Sequence, residues 1–249
     1  MSSSDFRAKA RQILAGKWLM AVLVTFVAGI FGAVLASGSA SFNFNINIDE
    51  DILQHMPKAL VDLFKVYLTV AASIGGALGL AQFLLGGVVK LGYCKYLLKL
   101  HDGEEGSIKD LFSQFDRFAD GFLLNLLTSI YVFLWTLLFI IPGIVAGYKY
   151  AMAPFIMLEN PGMKAGEAID ASKKMMYGHK GELFILDLSF IGWALLSVLF
   201  TLGIGDLWLN PYRNASHAAF YRNLNPGYEA PKAPNSTYQW NSSIYMNQE

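Results

Sequence analysis

Long apolar runs alternate along this chain with short segments in which apolar residues recur every three or four positions. The longest run is Phe122 to Leu158, FLLNLLTSIYVFLWTLLFIIPGIVAGYKYAMAPFIML. About twenty apolar residues lead to Ile141-Pro142-Gly143, enough to cross a hydrocarbon core of roughly 30 Å. Proline clashes with the preceding helical turn and glycine permits a reversal, so a tight hairpin is predicted with its turn at Pro142 and Gly143. Trp18 to Ala36 is an earlier span, with Ala28, Gly29, Gly32 and Ala33 as a small-residue face for close helix packing. A long helix is predicted from Pro57 through Leu100, roughly 65 Å if unbroken. It carries a GxxxG at Gly75 and Gly79, a bend at Gly86-Gly87, and Lys90, Lys95 and Lys99 where it returns. Leu183 to Leu202 is the next span. Gly203-Ile204-Gly205 turns it, with Gly203 and Gly205 as the hinge residues, and Asp206 to Leu224 comes back.

The periodic segments lie between these runs. Ser4 caps a helix with Phe6, Ala10, Ile13 and Leu14 on one face, while Arg7, Arg11 and Lys17 point elsewhere. Ile108, Leu111, Phe112 and Phe115 form a second stripe. Ala165, Ile169, Ser172 and Met176 form a third, beside Lys173 and Lys174. Each is too short to span, and each reads as an amphipathic helix in the headgroup plane. SFNFNINID, within Ser37 to Glu50, alternates like a strand, but a lone strand is marginal and an outside loop is expected. Tyr228 to Glu249 is rich in Pro, Asn, Ser and Gln and reads as disordered. The domain organisation is thus an integral membrane domain over 1–224 and a polar cytoplasmic tail over 225–249.

The pieces line up as three units of one plan: surface helix, glycine, span, turn, span. Gly121 and Gly181 lie 60 positions apart, Gly147-Tyr148-Lys149 and Pro211-Tyr212-Arg213 lie 64 apart, and Asn160-Pro161-Gly162 and Asn225-Pro226-Gly227 lie 65 apart. The first unit offers Gly16 and Gly92-Tyr93-Cys94-Lys95 and fits less closely. The units enter from the same side, as parallel repeats. The expected fold class is all-α: a polytopic membrane bundle of about six transmembrane helices in three hairpins. A four-span version, with Ile144 to Leu158 and Leu207 to Leu224 only partly embedded, is the alternative.

Composition agrees. The chain is 54% hydrophobic and 15% charged, against about 25% charged in soluble domains. The formal net charge of zero gives no global electrostatic case for nucleic acid. Met1 to Trp18 carries four basic residues against Asp5, and the loop after the first span is acidic. By the positive-inside rule both termini are expected in the cytoplasm. The basic start followed by Trp18 to Ala36 is too long an apolar run for a signal peptide, so an uncleaved first span is expected. The lone Cys94 reads as a small packing residue.

Catalytic signatures do not stand out. No Walker loop, GxGxxG, HExxH or GxSxG occurs, and His55, His101, His179 and His217 do not cluster in sequence. The glycosylation-type triplets Asn214-Ala215-Ser216, Asn235-Ser236-Thr237 and Asn241-Ser242-Ser243 fall on the expected inner side. Ionisable residues within spans carry more information, because they are costly in hydrocarbon. Lys149 and Asp187 are predicted to approach each other, with Asn125 completing a polar cluster and Arg213 in the place of Lys149 in the last unit. Either this is a polar pathway or headgroup site, or it is snorkelling plus one ion pair that fixes packing. The interfacial basic candidates are Arg7, Arg11, Lys17, Lys173 and Lys174. No cofactor and no metal site is expected.

The stretch from Ile141-Pro142-Gly143 through Ala168 to Lys174 and Leu186-Asp187-Leu188-Ser189-Phe190, to Pro211-Tyr212-Arg213, closely resembles the uncharacterised bacterial integral membrane proteins of domain-of-unknown-function family nine-seven-five. The resemblance covers roughly Ala8 to Leu224. The hairpin is also similar to the membrane domain attached to some glycerophosphodiester phosphodiesterases, whose catalytic domain has no counterpart here. The resemblance implies a multi-pass protein, mostly of Gram-positive bacteria, and supplies no activity or catalytic residue. The expected role is non-enzymatic, in the bacterial cytoplasmic membrane, binding lipid or a membrane-protein partner, including a second copy of itself, at the cytoplasmic leaflet. A small transporter or channel is the alternative, and a lipid-modifying enzyme using Asp187 and His179 is the weakest reading.

Overall fold

The computed structural model describes residues 2–33, 58–201 and 204–225. Among these residues the chain is helical throughout, without strands. The helices are α1 Ser3–Leu14, α2 Trp18–Ile30, α3 Lys58–His101, α4 Lys109–Phe112, α5 Phe118–Leu138, α6 Ile140–Tyr150, α7 Ala153–Glu159, α8 Ala165–Met175, α9 Lys180–Thr201 and α10 Asp206–Leu224. A 3-10 turn at Phe115–Arg117 links α4 to α5. The alternating segment SFNFNINID, Pro57, Gly203 and the C-terminal tail lie outside the described residues.

Among the described residues, three stretches are long and apolar enough to cross a membrane: Lys109–Leu138, Ile140–Glu159 and Lys180–Thr201. The bent pair of α1 and α2 raises that number to four among the described residues. Six spans in three hairpins are not confirmed among the described residues, where three or four are found. The physical reason is plainest in α10, where Asn210, Arg213, Asn214, His217 and Arg222 interrupt the apolar pattern. That helix packs against α1, α2, α3 and α9 instead of presenting an apolar girdle. The large apolar side chains of the α5–α6 hairpin and α9 are bare: Leu137 is 72% exposed, Ile141 75% and Leu199 78%. An apolar surface of this extent is consistent with a membrane protein.

The first hairpin turn differs from expectation by a few residues. Phe139 is the break, extended at φ −158° and ψ 147°, and Pro142 and Gly143 already belong to α6. Proline suits a first helical turn, where its missing N–H has no intrahelical carbonyl to meet. Gly143 then lets the two helices touch: a Cβ there would stand 2.1 Å from Thr136 Oγ1. At the other turn Gly205 precedes α10, and its N–H donates to Thr201 Oγ1 at 2.9 Å.

The short helices share one end of the bundle, here called the base. α1 turns by 103° from α2. Its predicted stripe is correct in composition, but it meets protein: Phe6, Ala10 and Leu14 are buried, and Phe6 packs edge-on against Phe220 of α10 at 5.2 Å. Likewise Ala165, Ile169, Ser172 and Met176 of the α8 region are buried. Of the middle stripe, Leu111 is buried while Phe112 and Phe115 stay exposed. An apolar stripe records that a face is covered and does not say by what. α3 is continuous through Gly86-Gly87, and both glycines stand at close helix contacts. Gly121, expected just ahead of the span, lies inside α5. A Cβ on Gly87 would stand 2.2 Å from the Gly121 carbonyl oxygen.

Candidate functional site

The most concentrated chemistry lies on Asp187 of α9. Three turns of sequence logic converge there. His217 follows Arg213 by one helical turn on α10, so both project from the same face. Tyr148 reaches in from α6. Arg213 Nε donates to Asp187 Oδ1 at 2.9 Å, and Tyr148 Oη donates to Oδ2 at 3.1 Å. His217 Nε2 stands 2.7 Å from Oδ1. An ionised carboxylate only accepts, so this ring nitrogen carries the hydrogen and donates. The Asp187 side chain is 11% exposed and that of His217 14%, while Arg213 keeps 32%. Burying Asp187 is costly by itself, and two charge-assisted partners plus a phenol offset that cost. Aromatic rings hold the frame. Tyr148 packs edge-on against Phe184 at 5.8 Å, and Tyr212 packs between Phe190 and Trp18 at 5.1 and 6.2 Å.

Lys149 is not the partner of Asp187. Its backbone carbonyl accepts from Ser172 Oγ at 2.9 Å, and the ion pairs of Asp187 go to Arg213 and His217. Tyr148, one residue earlier, takes the position facing α9, because a one-residue step turns a helical side chain by about 100°. Asn125 is not in this cluster either. It lines a separate small crevice with Lys90, Thr128 and Tyr150. Arg213 was legible in sequence through its alignment with Lys149. His217 was not, since only tertiary packing brings Asp187 beside it, and the one available signal was its spacing from Arg213.

A second ionic cluster closes the base. Glu159, at the end of α7, accepts from Tyr221 Oη at 2.5 Å and from Asn225 Nδ2 at 3.2 Å, and pairs with Arg222. Arg222 also pairs with Asp102, just after α3, with Nε 3.1 Å from Oδ1. The cluster thus joins the end of α7 to Asn225, just past α10. Burial pushes the Asp102 carboxyl up, but His101 and Arg222 outweigh it and hold the group below the usual carboxylate range. Lys99 pairs with Asp110 at 2.7 Å, tying α3 to α4.

The predicted interfacial cations divide. Lys173 pairs with Asp170 at 2.6 Å and lies over the Tyr131 and Tyr150 rings at 5.9 Å each. Lys17 Nζ donates to the Glu104 carbonyl at 3.0 Å. Arg7 is half-buried, whereas Arg11 and Lys174 are exposed. Cys94 is buried and free. Among the described residues, no group of three His, Cys, Asp or Glu side chains gathers as metal ligands would.

The sequence model of a family described as "Protein of unknown function (DUF975)" matches residues 1–146 and 137–226. No curated protein and no solved structure matches this chain.

Proposed function

The chain belongs to the DUF975 family of proteins of unknown function, and from that premise we propose that it is a non-enzymatic multi-pass protein of the bacterial cytoplasmic membrane that binds lipid at the inner leaflet. In this reading the base faces the cytoplasm, with both termini there, and the bare apolar side chains of α5, α6 and α9 lie in hydrocarbon. The observation that carries the proposal is how the charges divide. Asp187, Arg213 and His217 engage one another, as do Glu159, Arg222 and Asp102. Arg11 of α1 and Lys174 of α8 stay exposed, as do the large apolar side chains of α5, α6 and α9. Basic side chains in that setting attract anionic headgroups by about 1 kcal/mol each. A membrane-protein partner or a second copy would use the same face.

Native mass spectrometry from nanodiscs tests the reading. Phosphatidylglycerol is expected to be retained over phosphatidylcholine, and Arg11→Gln with Lys174→Gln is expected to reduce that preference. Equal retention of the two lipids would refute it. The Asp187–His217 contact favours a second reading, a proton-coupled transporter. Solute or proton flux in liposomes that His217→Gln abolishes would put that reading first.

A further inference from the structure

A crevice between α3, α5 and the α6–α7 segment is lined by four polar side chains. Lys90 of α3, Asn125 and Thr128 of α5, and Tyr150 at the end of α6 line it. Among the described residues, none of the side-chain hydrogen bonds or ion pairs involves Lys90, Asn125, Thr128 or the Tyr150 hydroxyl. That contrasts with Asp187, Glu159 and Asp110, each of which is matched by charge. The walls are tight because two glycines meet there. A Cβ on Gly87 would stand 2.2 Å from the Gly121 carbonyl oxygen and 3.0 Å from the Asn125 Cβ. The contact holds α3 against α5 at the wall of the crevice.

The depth is also particular. Helix rise places Lys90 roughly 16 Å along α3 from His101, Tyr150 roughly 14 Å from Glu159, and Asn125 roughly 10 Å from Phe118. All three groups therefore lie well inside the base, below its exposed lysines and at the level where a span begins. An ammonium left there without a counter-charge is costly.

We propose that the Lys90, Asn125, Thr128 and Tyr150 crevice is a binding site for a phosphate-bearing anion. The proposal deepens the lipid-binding reading and rests on it for the source of the phosphate, a lipid headgroup or free phosphate. The enclosed volume is about 20 Å³, room for one oxygen-sized group. One phosphate oxygen enters and the rest of the group stays at the mouth. Lys90 supplies the charge, while the Asn125 amide and the Thr128 and Tyr150 hydroxyls supply neutral donors. Four donors around one oxygen-rich anion is the composition such a ligand requires.

Thermal unfolding of the full chain in neutral detergent tests this, because a ligand that binds the folded state raises Tm. The probes are phosphatidylglycerol against phosphatidylcholine, and inorganic phosphate against chloride at matched ionic strength. Wild type is expected to rise in Tm with phosphatidylglycerol, with phosphate, or with both, and the responding arm identifies the source. Lys90→Gln and Asn125→Ala are expected to lose most of that rise, whereas Lys90→Arg, which keeps the cation, retains it. A response to phosphate alone that Lys90→Gln removes keeps the crevice and discards the lipid reading. A phosphatidylglycerol response untouched by Lys90→Gln but lost in Arg11→Gln with Lys174→Gln overturns the crevice and keeps the lipid reading. No rise in wild type with any probe overturns the site, leaving a water-filled gap.

Discussion

Asp187 and Lys90 are both ionisable side chains a few turns inside the bundle, yet only Asp187 is neutralised by its neighbours. Arg213, His217 and Tyr148 surround Asp187 with donors from two other helices. Lys90 faces an amide and two hydroxyls with no carboxylate. The difference separates two uses of polar groups at membrane depth. A matched cluster locks helices together, since removing one partner leaves an uncompensated charge. An unmatched charge costs stability in the folded bundle and is recovered only by something that binds. The matched site joins α6 to α9 and α10. The unmatched one lies between α3, α5 and the α6–α7 segment.

The largest change expected comes from the wall of the unmatched site. Gly121→Val places a Cβ 2.9 Å from Val88 Cα, so α3 and α5 must separate. The loss is expected at or above the top of the usual overpacking range of about 1–3 kcal/mol. Denaturant titration in micelles reads it. Near-native stability there would mean the helices are not in backbone contact and the crevice is not rigid.

Next is the matched site. Asp187→Leu strands Arg213 and His217, and a loss of about 3 kcal/mol is expected, the low end for a buried pair because Arg213 is partly exposed. Adding Arg213→Met is expected to recover part of that loss, whereas adding Lys149→Met to Asp187→Leu is expected to be additive, as for sites without a shared partner. Coupling with Lys149 in that cycle would restore the pairing read from sequence. Tyr148→Phe removes one bond to a charged acceptor, and a loss of about 1.5 kcal/mol is expected.

Lys90→Gln is expected to move the other way. Removing an unmatched charge stabilises the ligand-free chain by up to about 1 kcal/mol. Destabilisation on that change, without ligand, would show that Lys90 is matched after all. The smallest effect is the pH response of Asp102. Its folded-state pKa is depressed, so the unfolded chain takes up its proton first as pH falls. Its stabilising contribution is present above the ordinary carboxylate pKa and is lost as pH drops through the depressed folded value. Melting curves of wild type are therefore expected to fall more steeply with acid in that window than those of Asp102→Asn.

Sequence alone determined a great deal of this molecule. Apolar run lengths set the helices, and a single α3 from Lys58 to His101 follows closely from the pattern that begins at Pro57. The stripes through Phe6, Ala10 and Leu14 and through Ala165, Ile169 and Ser172 are the faces that are buried. Periodicity is a local property of the chain, and burial of one face is all it encodes. What covers that face is not local, which is why helices expected against headgroups dock on α10 and its neighbours. The turn at Phe139 was missed because proline and glycine are read as breakers when they stand equally well in a first helical turn. Asp187 was legible as an odd charge in a span. Its partners were decided only by the tertiary structure, which rotates Tyr148 toward α9 and sends Asn125 to Lys90, because a helix neighbour differing by one position in sequence differs by about 100° in direction.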